Sequence, residues 1–305
     1  VRINADTINL SAGTGIFAET TSSSLGGSIF LQPNITNGRI EISNTDDASS
    51  VIETDNENSI TENNPQISAS TSGSGSGGNI TIQNAAIAIL NNIDLITSTT
   101  RSGQAGNIIV SIPQLNIQDG ARLSAETNST GDGGIIRIES NKVNLSGSGS
   151  EVSANTSGSG AGGSIILQPN TRNGRIEINT TDDGENNIIE ADDENNPRIS
   201  ASTNSSGIGG NIIIQNAEVA KLNNTELFTS SNGSGSAGGI SVQNVDVLLM
   251  RQGSLIQSGA SNTGNGGDVN IEADFVVTVP GEDNDILANA TDGDGGNINI
   301  TANRI

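Results

Sequence analysis

The chain has no histidine, no cysteine, no tryptophan and no tyrosine among its 305 residues, and Lys142 and Lys221 are its only lysines. Each absence removes a class of function. Without histidine there is no Ser-His-Asp triad, no imidazole metal site and no general base of the commonest kind. Without cysteine there is no disulfide framework and no thiol chemistry. Four phenylalanines are the only aromatic residues, so the core must be aliphatic and platforms for stacking sugars or bases are scarce. The net charge of −22 is the opposite of a nucleic-acid footprint. It also opposes attraction to anionic membranes. No apolar run approaches the ~20 residues of a membrane span, and no stretch reads as a signal peptide.

What is abundant is glycine, with 39 residues, set among Ser, Asn, Thr and Ile. Glycine pairs, or an Ala-Gly in the same place, end at Gly27, Gly78, Gly106, Gly134, Gly163, Gly210, Gly239, Gly267 and Gly296. The successive spacings are 51, 28, 28, 29, 47, 29, 28 and 29. A fixed period of this size marks a solenoid, propeller or array. It is short for a propeller blade of roughly 40 residues. The residue types are poor helix formers or β-branched, which argues against helical repeats.

Within a unit the apolar residues alternate. In 79–106 the inward pairs read Ile80 and Ile82, Ile87 and Ile89, Leu95 and Thr97. In 107–134 they read Ile108 and Val110, Leu115 and Ile117, Leu123 and Ala125. Period-2 alternation puts each pair on one strand face. Three strands per unit predict an all-β fold: a right-handed parallel β-helix, or β-solenoid, of 28–29 residues per three-strand coil. Roughly ten coils at ~4.8 Å each give a rod on the order of 50 Å long. Stability then comes from stacking on neighbouring coils.

We read 1–305 as a single β-solenoid segment. Val1–Ile8 aligns with Ile298–Ile305 at the same point in the coil, and neither end reads as a polar cap, so a longer parent chain is expected. The two long units, 28–78 and 164–210, share LQPN, NGRIEI, TDD and ENNP, which overlays a second-order repeat of about 134 residues. Each carries an acidic insertion between its second and third strands, at 44–66 and 179–198. The first holds Asp46, Asp47, Glu53, Asp55, Glu57 and Glu62; the second holds Asp182, Asp183, Glu185, Glu190, Asp192, Asp193 and Glu194. They read first as solvated loops. Weak Ca²⁺ binding is the alternative, since carboxylates with Asn are hard-oxygen ligands. Neither insertion has EF-hand spacing, and the Ca²⁺-binding β-roll nonapeptide does not repeat.

The tracts TSGSGSGG, TNSTGDGG and TSGSGAGG read as sharp coil corners, with glycine supplying left-handed backbone and close stacking. Asn79, Asn107, Asn211 and Asn297, just after the glycine pair, are either turn residues or a partial amide ladder. Lys221 stands where Ile89, Ile117 and Leu145 are expected to point inward. The preferred reading is a one-residue slip that turns Leu222 in; the other is a snorkelling lysine.

At ISAST…GSGSGGNITIQN and LSAETNSTGDGGIIRI the chain resembles the repeat region of large cyanobacterial exoproteins, filamentous-haemagglutinin-like proteins of the two-partner secretion type often labelled S-layer family. The resemblance covers essentially the whole chain. It implies a right-handed parallel β-helix, export through a partner transporter, and a surface or released fibre involved in adhesion. The expected function is structural: a filament, stalk or surface layer outside the cell, self-associating into fibres, with no catalytic residues and no required cofactor. The second reading is an adhesin for carbohydrate or cells, with Ca²⁺ at the acidic insertions. A sugar-cleaving enzyme built on paired carboxylates is the third and least supported, because the acids cluster in the insertions and not on strand faces. No nucleic-acid partner and no membrane insertion are expected.

Overall fold

The computed structural model describes residues 1–11, 13–44, 64–171, 173–179 and 196–305. Among them there are strands and turns and no helix. Each strand pairs in parallel with the equivalent strand of the next coil, as Ile80–Gln83 does with Ile108–Ser111 and that strand with Ile135–Glu139. The described residues form a β-solenoid of nine three-strand coils, and Ile298–Arg304 starts a tenth.

The first face runs from Arg2–Asn4 to Ile298–Arg304, the second begins at Thr7–Leu10, and the third runs from Gly15–Phe17 to Asp285–Leu287. In the last coils the first two strands fuse. Ile240–Arg251 and Val269–Thr278 turn the corner without a break, with a register shift between Val242 and Val245.

The lumen is filled by aliphatic columns. On the first face Ile80, Ile108, Ile136, Ile165 and Ile212 stack in register, all fully buried. On the third face Ile67, Leu95, Leu123, Val152, Ile199 and Leu227 do the same. A fully buried side chain of this size is worth ~1.5–3 kcal/mol, and almost all of that contact lies across coils. The stacking is therefore the stability.

The second face corrects one expectation. Ala88 and Leu90 are fully buried, while Ile87 and Ile89 lie half-buried on the outer surface. The segment Ala85–Leu90 is apolar at every position, so alternation carries no phase information there. A register shift between Gly38 and Arg39 against this strand moves the pairing by one, and one residue is enough to exchange the two faces. At Lys221 the preferred slip is found: Ala220 and Leu222 are buried, and Lys221 pairs outward with Glu177 and Leu249.

The glycine tracts are corners, but not for the conformational reason expected. No glycine of these tracts has positive φ. Gly75, Gly103, Gly131, Gly160, Gly207, Gly235, Gly264 and Gly293 form one column, and in each adjoining pair a Cβ on the later glycine would run into the carbonyl of the earlier. The paired glycines form a second column through Gly210, Gly238 and Gly267; Gly238, not Gly239, holds the repeat position. Left-handed backbone falls mostly at the other two corners, on asparagine and aspartate: Asn84, Asn216 and Asn244 after the first face, and Asn92, Asp119 and Asn224 after the second; Asn262 is the exception at the glycine corner. Asn and Asp tolerate that region because a short polar side chain bonds locally.

Candidate interaction surface

Because the core columns are shared by every coil, what distinguishes the rungs is outside. On the first face the outward column holds Glu139, Gln168, Gln215 and Gln243. Gln168 Nε2 donates to Glu139 at 3.1 Å, Gln215 Nε2 to Gln168 Oε1 at 2.5 Å, and Gln243 Nε2 to Gln215 Oε1 at 2.8 Å. At the next corner Asn244 Nδ2 donates to Asn216 Oδ1 at 2.7 Å. The asparagines after the glycine pair do something different from an amide ladder. Asn79 Oδ1 accepts the backbone N–H of Asn107 at 2.9 Å, Asn107 Oδ1 that of Ile135 at 2.9 Å, and Asn211 Oδ1 that of Gly239 at 3.0 Å. Each caps the strand start of the next coil.

The third face carries a column of alternating charge: Asp94, Arg122, Glu151, Arg198 and Glu226 on successive rungs. Arg122 turns back to Asp94, donating from Nε at 2.9 Å and Nη2 at 2.6 Å. Asp94 is nearly sealed, its side chain 2% exposed. That bidentate pairing holds the Arg122 guanidinium well above its usual range. Arg198 turns the other way, to Glu226 at 3.6 Å, and lies over the Phe228 ring at 4.9 Å. Glu151 sits between two arginines that both point away.

Burial, and then the Glu126 carboxylate, push the Glu151 carboxyl up; Arg198 and Arg122 offset this only in part. Glu126 itself accepts from Ser153 at 2.6 Å and Asn155 at 3.1 Å, which fixes it near Glu151. A carboxyl raised in the folded state favours folding when protonated, and that gain is lost as pH climbs through the raised value. Glu151→Gln is therefore expected to raise the melting temperature at neutral pH. The gain should vanish below about pH 4, where the carboxyl is protonated in both states. Thermal melts of both proteins across that range check it; a gain that grows on acidification would contradict the assignment.

The second face gathers cations on a chain that has few. Arg39, Lys142, Arg175, Lys221 and Arg304 all stand outward, against Glu41 and Glu177. Its outer surface turns apolar toward the C-terminal coils, where Val247 and Leu249 are half-buried and Phe275 and Val277 exposed. The expected inward role of Ile87 and Ile89 hid the start of this surface; the Thr-ending ISAST and LSAET segments likewise hid a buried column, Thr71, Thr99, Thr127, Thr156 and Thr203, along the third face.

The acidic residues of the two insertions lie outside the described residues. Their strand roots, Asn44 and Asn179, close second-face strands four coils apart. The chain returns at Asn64 and Asn196, both buried, and Asn196 exchanges reciprocal amide hydrogen bonds of 3.2 Å with Asn224. Among the described residues no three acidic side chains gather as a metal cluster, and no helix is long and apolar enough to cross a membrane. No protein-family model matches the chain, and neither a characterised protein nor a solved structure matches it significantly.

Proposed function

We propose that the chain is a structural segment of an extracellular fibrous surface protein, a filament, stalk or surface layer, and not an enzyme. The carrying observation is that parallel pairing runs from coil to coil through nine coils with only two one-residue register shifts among the described strands, and side-chain ladders on the outside repeat the stacking inside. The outward amides bond to one another along the rod, which spends their hydrogen bonds on axial cohesion. The likeness of the repeats to large secreted exoproteins supports export and a place on the cell surface. The fold suits an adhesin as well, with Ca²⁺ at 44–66 and 179–198, and the same experiment separates the two.

The test is electron microscopy of the purified chain with and without a calcium chelator, beside a glycan-binding screen. Uniform rods, unchanged by chelation and binding no glycan saturably, are expected. Saturable glycan binding abolished by deleting 44–66 and 179–198 would overturn the structural reading in favour of the adhesin.

A further inference from the structure

The second face is self-complementary at most of its rungs. Three outward columns run along it; the last, through Ser43, Asn91, Gln118, Asn223 and Arg251, is polar throughout, and the other two bear the contact. One of these two holds Arg39, Ile87, Gln114, Lys142, Arg175, Val219, Val247 and Phe275; the other, two residues later on each strand, holds Glu41, Ile89, Asn116, Asn144, Glu177, Lys221, Leu249 and Val277. In six of these eight rungs the two members are complementary; the Lys142–Asn144 and Val219–Lys221 rungs are the exceptions. Arg39 faces outward beside Glu41, and Arg175 beside Glu177, as ion pairs of 2.8 and 3.0 Å. Ile87 stands beside Ile89, Val247 beside Leu249, and Phe275 beside Val277. Gln114 stands beside Asn116, and Lys142 beside Asn144.

A two-fold axis lying between these two columns, parallel to the rod, brings each rung against its own copy and exchanges them. Arg39 then meets the copy's Glu41, Ile87 its Ile89, Gln114 its Asn116, Arg175 its Glu177, and Val247 its Leu249. Opposite charges, amides and apolar pairs all find their own kind of partner. Lys221 opposes Val219 and reaches the copy's Glu218, the corner residue just before it in sequence. An antiparallel arrangement loses this. Setting Arg39 and Glu41 against the Arg175 and Glu177 rung, for example, puts Ile87 and Ile89 against Lys142 and Asn144 and leaves the Val247 and Phe275 rungs uncovered.

We infer that two copies of this chain pair side by side, in parallel and in register, through their second faces. Charge favours this face. It is the one whose outward strand columns carry more cations than acids on a chain of net charge −22. On the third face the outward column holds more acids than cations, so close approach of two copies there sets acid against acid. Area also permits it: nine rungs at ~4.8 Å and about five residues per strand at ~3.3 Å give roughly 700 Å² per copy, near the ~800 Å² of a standard interface. The contact is isologous and closed, so it makes a double rod and not an open sheet. The pairing deepens the structural reading above and rests on it.

Sedimentation velocity of the full chain at micromolar concentration tests the pairing. Twice the mass of one chain is expected, with return to one chain in Leu249→Glu, whose outward side chain leaves the lumen unchanged. Register is read by mixing a Gln114→Cys chain with an Asn116→Cys chain and adding a short bifunctional maleimide. The native sequence has no cysteine, so a covalent dimer that needs both variants reports the same rung in both copies. A wild-type chain that stays single across the concentration range, or a dimer indifferent to Leu249→Glu and not linked between 114 and 116, overturns the pairing. Single chains that remain rods sink the pairing alone, whereas saturable glycan binding by the paired rod sinks the structural reading and leaves the pairing standing.

Discussion

Ile138→Asp is expected to abolish the cooperative thermal transition of the central coils. Ile138 is fully buried and stacks between Val110 and Leu167. An aspartate there has aliphatic neighbours above and below. Its charge is unpaired, and protonating it leaves a polar group in hydrocarbon. A loss of ~4–5 kcal/mol or more is the scale of such a change. No coil holds its apolar face alone, so the damage passes to the coils on either side. Ile138→Val keeps the column and should cost ~1 kcal/mol. Circular dichroism melts of the three proteins decide it. An unchanged transition in Ile138→Asp would mean that this side chain faces outward and that the assigned register is wrong.

Gly131→Ala is expected to destabilise more than Gly120→Ala, although φ argues the reverse. Gly120 has φ of +84°, and a Cβ there meets nothing closer than the Ser148 carbonyl at 3.6 Å. Its penalty is conformational, ~1–2 kcal/mol. Gly131 has an ordinary φ, but a Cβ on it would enter the Gly103 carbonyl of the preceding coil. The obstacle is backbone, and it yields only if the coils separate. Overpacking costs ~1–3 kcal/mol and sometimes more, and an obstacle that cannot move puts Gly131→Ala at the top of that range. Because the same contact recurs in every coil, a separation at Gly131 also strains the rungs beside it. Denaturant melts of the two single variants give the comparison. Equal losses would show that the corner tracts stack loosely and that glycine serves there only as a turn residue.

The architecture was legible in the sequence wherever polar residues alternate with apolar ones. Ile108 and Val110, Leu115 and Ile117, and Leu123 and Ala125 are buried as their spacing implies. Phase failed at Ala85–Leu90, where six successive apolar residues offer two equivalent faces and a bulge makes the choice. The role of the glycine tracts was half legible: strict spacing showed corners, but only the stacked backbones show that close approach, not left-handed φ, demands glycine. The charge column was out of reach for a different reason. Glu151 and Arg198 are separated by a 47-residue unit, so their adjacency needs the register across the insertion. The second-face surface was hidden by the same phase error that placed Ile87 and Ile89 in the lumen.

In a solenoid the hydrogen bonds between strands point along the rod, from each coil to the next. A pull on the two ends therefore loads the coils in series. Within one coil three strands share the force; between coils nothing does. The weakest rung gives way first while the others hold. A released coil of about 28 residues can extend to roughly 90 Å, where folded it contributed ~5 Å. Such a rod lengthens under tension in steps, one coil at a time, and absorbs work at each step before the next coil opens. The outward glutamine column and the bidentate Arg122–Asp94 contact bridge neighbouring coils, so they set which coils open last.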